Sequence, residues 1–320
     1  MKEKIRKIVN NEIFENIMPI LTLAIFVAFF GIVTGGKFVK PTNLKLIMNQ
    51  ATVIALISTG AVFIYSSGNM NVAMGCTTCI IVMIAVQIYL HTGSFPLMIL
   101  GAIICSMIIM AFIVLLGRLL KISMQALTML MMTFFSSLQT AILAKSGWQV
   151  PVSEILPLRE ANVPIIMLII YLLLAIFVFD FTSLGRNLKY IGENSVCAHL
   201  TGIKDGKKVA IGYIFCSIGI GLGACAYIIR NSNINISSGS GLNMDVILAM
   251  VLAGSPLKGG SKSKAFAGVI GAFLSIGLGN GLLMLGVGSY YIQIIKGVIF
   301  IIILCTTSKR PENLPVKQML

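Results

Sequence analysis

The chain has 320 residues, of which 57% are hydrophobic and only 11% charged, and its mean hydropathy is +0.97. Soluble domains carry about a quarter charged residues, so composition excludes an ordinary globular domain. A formal net charge of +14 leaves two kinds of partner, nucleic acid or lipid, and the placement of the basic residues decides between them.

Residues 1–16 (MKEKIRKIVNNEIFEN) are mixed in charge and weakly amphipathic. No small-residue cleavage site follows the first apolar run, which predicts an interfacial lead-in helix before a retained span. Ten apolar runs follow, at 17–33, 46–65, 70–90, 97–117, 123–143, 163–180, 208–229, 243–257, 265–285 and 290–307. Helical runs of this kind cross about 30 Å of hydrocarbon at 1.5 Å per residue, so the predicted fold is all-α and polytopic, with about ten transmembrane helices.

With the N-terminus in the cytoplasm, the outside segments hold Lys37, Lys40, Lys45, Lys145, Arg159 and Arg230, and Lys296 lies within the last span. The other 17 of the 24 basic residues then face inward. This positive-inside asymmetry assigns the charge to lipid rather than nucleic acid and predicts both termini in the cytoplasm of a multi-pass protein of the cell (inner) membrane. The Lys37, Lys40 and Lys45 cluster runs against the rule.

No connection is long enough for an added soluble domain, so 1–320 reads as one membrane domain with its longest polar stretch at 181–207 and a tail at 308–320. Small residues at four-residue spacing form two ridges, Ser217, Gly221, Cys225 and Ala267, Gly271, Ser275, Gly279; both predict close helix packing. Cys76, Cys79, Cys105, Cys216 and Cys225 sit inside apolar runs, and the Cys76/Cys79 CxxC lacks a second pair, so these read as packing residues. The tetrapeptides Asn69–Val72 (NMNV) and Asn243–Val246 (NMDV) open the third and eighth runs. In a ten-span chain those helices run in opposite directions, as in an inverted five-plus-five repeat with broken helices near the solute route.

Chemistry of bond-making is poorly supported. His91 and His199 share no helix face at metal-ligand spacing. Ion coupling places ionisable groups deep in spans, whereas here only Lys296 is plainly buried, with Asp245 and Asp180 near span ends. Gly254–Ser261 (GSPLKGGS) has the spacing of a phosphate loop, but Gly260 stands where its Lys belongs, so it reads as a turn. Any nucleotide power comes from a partner. For Lys296, snorkelling or packing, an ion pair and a pathway lining are all open.

The most informative segment is Leu184–Lys208, LGRNLKYIGENSVCAHLTGIKDGKK. Asn194 or Ser195 can cap a short helix, and Gly202 can end it in a left-handed turn, leaving a knob for a cytosolic partner or an ordinary solvated connector. LGR, G-x-N and L-T-G-I in this order resemble the cytoplasmic loop of ribose-type ATP-binding-cassette permeases. The runs GSGLNMDVILAMVLAGSPLKGG and AGVIGAFLSIGLGNGLLMLGVGSYYIQIIKGVI resemble the C-terminal third of the same family, and the likeness extends from about Thr42 onward.

This resemblance implies the permease subunit of an importer that moves a monosaccharide or similar small polar solute. Its partners would be cytosolic ATPase subunits, a second permease copy or homologue, and an extracytoplasmic solute-binding protein. The chain itself would hold no cofactor, since ATP and Mg bind the ATPases. By the same resemblance, Gly192, Glu193, Asn194, Ser195, His199, Leu200 and Gly202 belong to the coupling helix against the ATPase, with Ser195 and His199 standing where an acid and an Arg are common. SGNMNVAMG, Ser67–Gly75, occupies the place of a TGGIDLSVG-like run, with Asn71 for Asp and Ala73 for Ser. The pathway candidates are thus Asn69, Asn71, Asn243, Asp245 and Lys296, with helix capping the competing role for Asn71. The rival reading is a stand-alone ion-coupled secondary transporter or channel.

Overall fold

The structure is a computed structural model that describes residues 12–144, 147–239, 241–255, 259–261 and 263–307. Residues 1–11 of the expected lead-in helix, the tail 308–320, and Lys145, Lys258 and Lys262 lie outside the described residues. Residues 12–16 continue into the first helix instead of forming a separate one.

The helices are α1 (Glu12–Val33), α2 (Pro41–Tyr65), α3 (Met74–Thr92), α4 (Phe95–Leu120), α5 (Met124–Leu143), α6 (Val152–Glu160), α7 (Val163–Ile176), α8 (Ser183–Glu193), α9 (Ser195–Leu200), α10 (Asp205–Asn231), α11 (Leu242–Leu252), α12 (Ala267–Met284) and α13 (Ser289–Thr307). A π-helical turn, Phe177–Phe181, extends α7, and one two-stranded ribbon pairs β1 (Trp148–Gln149) with β2 (Asn233–Ile234). Each predicted apolar run carries one apolar helix. Among the described residues seven are long and apolar enough to cross a membrane, α2 to α5, α7 with its π turn, α10 and α12, while the apolar parts of α1, α11 and α13 are shorter.

Helix α2 is the axis of the bundle, with 83% of its apolar stretch buried, against 28% in α4, α5 and α7. Two of these, α4 and α7, are the most apolar of the seven, so their outward Leu, Ile and Phe side chains suit hydrocarbon rather than water. Lipid tails remove the hydrophobic drive for helices to associate, so close backbone approach has to supply it. A Cβ at Gly219 on α10 would lie 2.6 Å from the Leu56 carbonyl of α2, and one at Gly271 on α12 only 1.8 Å from that of Ala249 on α11. Both predicted ridges therefore pack: Ser106 Oγ on α4 donates to the Ser217 carbonyl at 2.7 Å, next to Gly221.

Two helix ends and two further elements depart from expectation. α11 stops at Leu252, short of the predicted 257, because Gly254 turns left-handed (φ +74°) and Ser255 N–H closes on the Met250 carbonyl at 3.1 Å. α3 begins at Met74 rather than residue 70, after an irregular segment from Ser66. Helix α6 and the ribbon carry no apolar period and were not predicted. Arg159 of α6 anchors them by donating to the Ile229 and Arg230 carbonyls at the end of α10.

Candidate functional site

Three groups of candidate residues form around the ends of broken helices. The first is the α8–α9 elbow. Leu184, Leu188 and Ile191 recur at helical spacing and bury one face of α8. Asn194 is extended (φ −159°) and its side chain accepts from Cys197 N–H at 3.1 Å, which starts α9. Gly202 is left-handed (φ +84°), and Ile203 N–H returns to the Ala198 carbonyl at 3.1 Å, which ends it. The expected capped helix over 194–201 is thus present, six residues long between its caps.

Glu193, Asn194, Ser195, His199 and Gly202 are exposed, and so are two apolar side chains, Val196 at 67% and Leu200 at 81%. Gly192 lies underneath. A Cβ there would come within 2.0 Å of the Ser66 carbonyl, which also accepts from Gly260 N–H at 2.9 Å. Glu193 Oε1 accepts from Ser261 N–H at 2.8 Å and from Ser261 Oγ at 2.7 Å. The elbow therefore grips both the α2–α3 connection and the turn between α11 and α12. A cavity of about 710 Å³ lies beside it, lined in part by Asn69, Arg118, Glu193, Asn194 and Asp205.

The second group joins the starts of α3 and α11. Asn71 is buried, and its Oδ1 accepts from Ala73 N–H at 2.9 Å, a local turn that leads into α3 rather than a cap on it. Asn69 turns back to Ser67 Oγ at 3.0 Å. Asn243, opening α11, reaches across the bundle: its Oδ1 accepts from Gly75 N–H at 2.6 Å and Cys76 N–H at 3.1 Å. The first turn of a helix has no internal partners for these donors, so a residue 168 positions away supplies one. Cys76 Sγ faces Asn243 Nδ2 at 3.0 Å, and Cys79 Sγ faces the Ser238 carbonyl at 3.5 Å.

The third group is an ion pair. Lys296 of α13 is 4% exposed, and its Nζ lies 2.5 Å from Asp245 Oδ1 on α11. Ser275 of α12 donates to the same oxygen at 3.1 Å. Gly279 leaves room for the ammonium, since a Cβ there would stand 3.3 Å from Nζ. The Gly271, Ser275, Gly279 ridge thus both packs α12 on α11 and completes the pair. Of the three readings of Lys296, the ion pair is realised, and the same residue also faces a cavity.

That cavity, of about 370 Å³, is walled by α2, α10, α11, α12 and α13 and includes Gln50, Arg230, Asn231, Asp245, Asn280, Gln293 and Lys296. Asp245 and Lys296 therefore meet at one place. Asn243 sits two residues away on α11, and Asn69 and Asn71 lie apart from this cavity, Asn69 beside the α8–α9 elbow. Sequence reasoning missed Gln50, Arg230, Asn231, Asn280 and Gln293. A signal existed for one of them: Ser289, Gln293 and Lys296 are spaced by four and three, which places a polar stripe on one face of α13.

The chain resembles known transport proteins in sequence. It is 33% identical over 147 residues to the ribose import permease protein of Escherichia coli K12, an alignment covering 46% of each chain. It is 35% identical over 146 residues to a probable ABC transporter permease protein of the same organism, covering 44% of this chain and 43% of the relative. The xylose transport system permease protein of Haemophilus influenzae is 35% identical over 147 residues, 45% of this chain and 38% of that protein. The alignments thus span less than half the length of these relatives. No solved structure matches. The model of the family described as branched-chain amino acid transport system / permease component matches residues 43–304, nearly the whole described bundle, and the chain belongs to that family.

Proposed function

We propose that this chain is the membrane-spanning permease subunit of an ATP-binding-cassette importer that brings a monosaccharide or similar small polar solute into the cell. Residues 1–320 form one permease domain in the cell membrane, with both termini cytoplasmic. Cytosolic ATPase subunits, which bind ATP and Mg, power it; a second permease copy or a homologous permease completes the pore, and an extracytoplasmic binding protein delivers the solute.

Helices α1, α11 and α13 complete ten spans in an inverted five-plus-five repeat. Two likenesses support this arrangement: irregular breaks follow both α2 and α10, with left-handed glycines at Gly68 and at Gly239 and Gly241, and the helices after those breaks meet end to end through Asn243. The solute passes near Asn69, Asn71, Asn243 and the Asp245–Lys296 pair.

The observation that carries the reading is α9: a capped six-residue helix presenting Val196 and Leu200 outward while its base grips the connections that start α3 and follow α11. Exposed apolar side chains on a polar segment suit a protein cleft. Gly192, Glu193, Asn194, Ser195, His199, Leu200 and Gly202 then pass the ATPase stroke into the bundle. Leu200→Asp should abolish co-purification of the partner ATPase while the permease still inserts; unchanged co-purification and uptake would remove α9 from this role.

A further inference from the structure

The cavity beside the ion pair holds three charges that do not cancel. Asp245 is the sole carboxylate among the described residues lining it, and its Oδ1 is occupied by Lys296 Nζ and Ser275 Oγ. That pair is neutral as a unit, which leaves Arg230. The neighbouring Arg159 adds no anion and spends its own guanidinium on the Ile229 and Arg230 carbonyls and on Ser232 Oγ. A guanidinium keeps its charge at all physiological pH, so the cavity carries an excess of one positive charge.

A second observation points to a ligand at the same place. Asn280 is 8% exposed and lines the cavity, yet its Oδ1 has no hydrogen-bond partner. Buried polar groups are normally satisfied, so the Asn280 side-chain amide, at the wall of a polar cavity, is left with hydrogen-bonding capacity open. Gln50, Asn231 and Gln293 add amides that both donate and accept. The volume falls at the low end of small-molecule sites, about 300–1,000 Å³.

We propose that this cavity binds a small polyhydroxylated carboxylate, with its carboxylate against Arg230 and a hydroxyl at the Asn280 side-chain amide. The proposal rests on the permease reading and narrows its solute. One excess positive charge matches a carboxylate; a phosphate monoester, at about −1.5 to −2, overshoots it, and an amino sugar is repelled.

The test needs neither the ATPase nor transport, so its failure is distinct from failure of the permease reading. Gln293→Cys is introduced in the full chain, purified in detergent, and labelled with sulfonate-bearing or trimethylammonium-bearing methanethiosulfonates, with modification at position 293 followed by mass spectrometry. Relative to free thiol, the anionic reagent should react at least about fivefold faster than the cationic one. Arg230→Gln should erase that preference and Arg230→Lys should keep it. D-Gluconate should slow labelling, whereas D-glucose, D-glucosamine and D-glucose 6-phosphate should not. Equal rates for the two reagents, or equal protection by gluconate and glucose, would overturn the proposal, and Arg230→Lys together with the parent decides it even if Arg230→Gln does not fold.

Discussion

Asp245 of the 11-residue α11 and Lys296 of α13 meet at 2.5 Å with side chains only 13% and 5% exposed. At 1.5 Å per residue, the 11 residues of α11 are too few to cross about 30 Å of hydrocarbon unaided. The pair, with Ser275 of α12 as third member, ties this short helix to both α12 and α13.

Breaking such a pair from one side leaves a buried charge without its partner, which costs about 3–5 kcal/mol, whereas removing both charges together costs far less. Lys296→Met and Asp245→Asn should each lower the thermal transition of the purified chain sharply. The double variant should recover most of the loss. Additive losses in a double-mutant cycle would show that the two residues act independently.

Asn71 and Asn243 carry different duties and should respond differently. Asn71→Asp keeps the oxygen that accepts from Ala73 N–H, so folding should hold while the added charge changes uptake. Asn243→Ala strips two donors of α3 of their acceptor and should cost about 1–2 kcal/mol, the upper range for losing a cap. Asn243→Asp retains the acceptor and should restore stability. Identical uptake for Asn71→Asp and the parent would leave Asn71 as a turn residue alone.

Glu193 separates holding the motor from transmitting its stroke. Its Oε1 accepts two hydrogen bonds from Ser261, and neither involves the outward face of α9. Glu193→Ala should therefore retain the ATPase on affinity purification yet reduce uptake per ATP hydrolysed. Loss of ATPase binding in parallel with uptake would place Glu193 in the docking surface itself.

Much of this was legible from residue order. Among the described residues hydropathy located the seven helices long enough to span and three shorter apolar stretches, and α9 was readable because Asn194 and Gly202 are local signals that act within a turn of themselves. What escaped was built from contacts distant in sequence. The ribbon pairs Trp148 with Ile234, and Arg159 caps carbonyls some 70 residues away, so neither leaves a periodic trace. The end of α11 was misread by carrying the helix through Gly254, Ser255 and Pro256 to Leu257, whereas the left-handed Gly254 turns the chain after Ala253. The Asn243 contact with α3 lay hidden behind a four-residue echo that gave its location but not its partner. The polar stripe on α13 was present in the spacing of Ser289, Gln293 and Lys296, and only the cavity reveals its use.

Uptake by proteoliposomes of defined composition decides whether this chain works as a powered permease. Vesicles holding the permease with its ATPase, supplied with binding protein and solute, should accumulate solute only when ATP is present on the ATPase side. Vesicles holding this chain alone should accumulate none under a proton or sodium gradient. Gradient-driven accumulation by the chain alone, indifferent to ATP, would contradict that assignment.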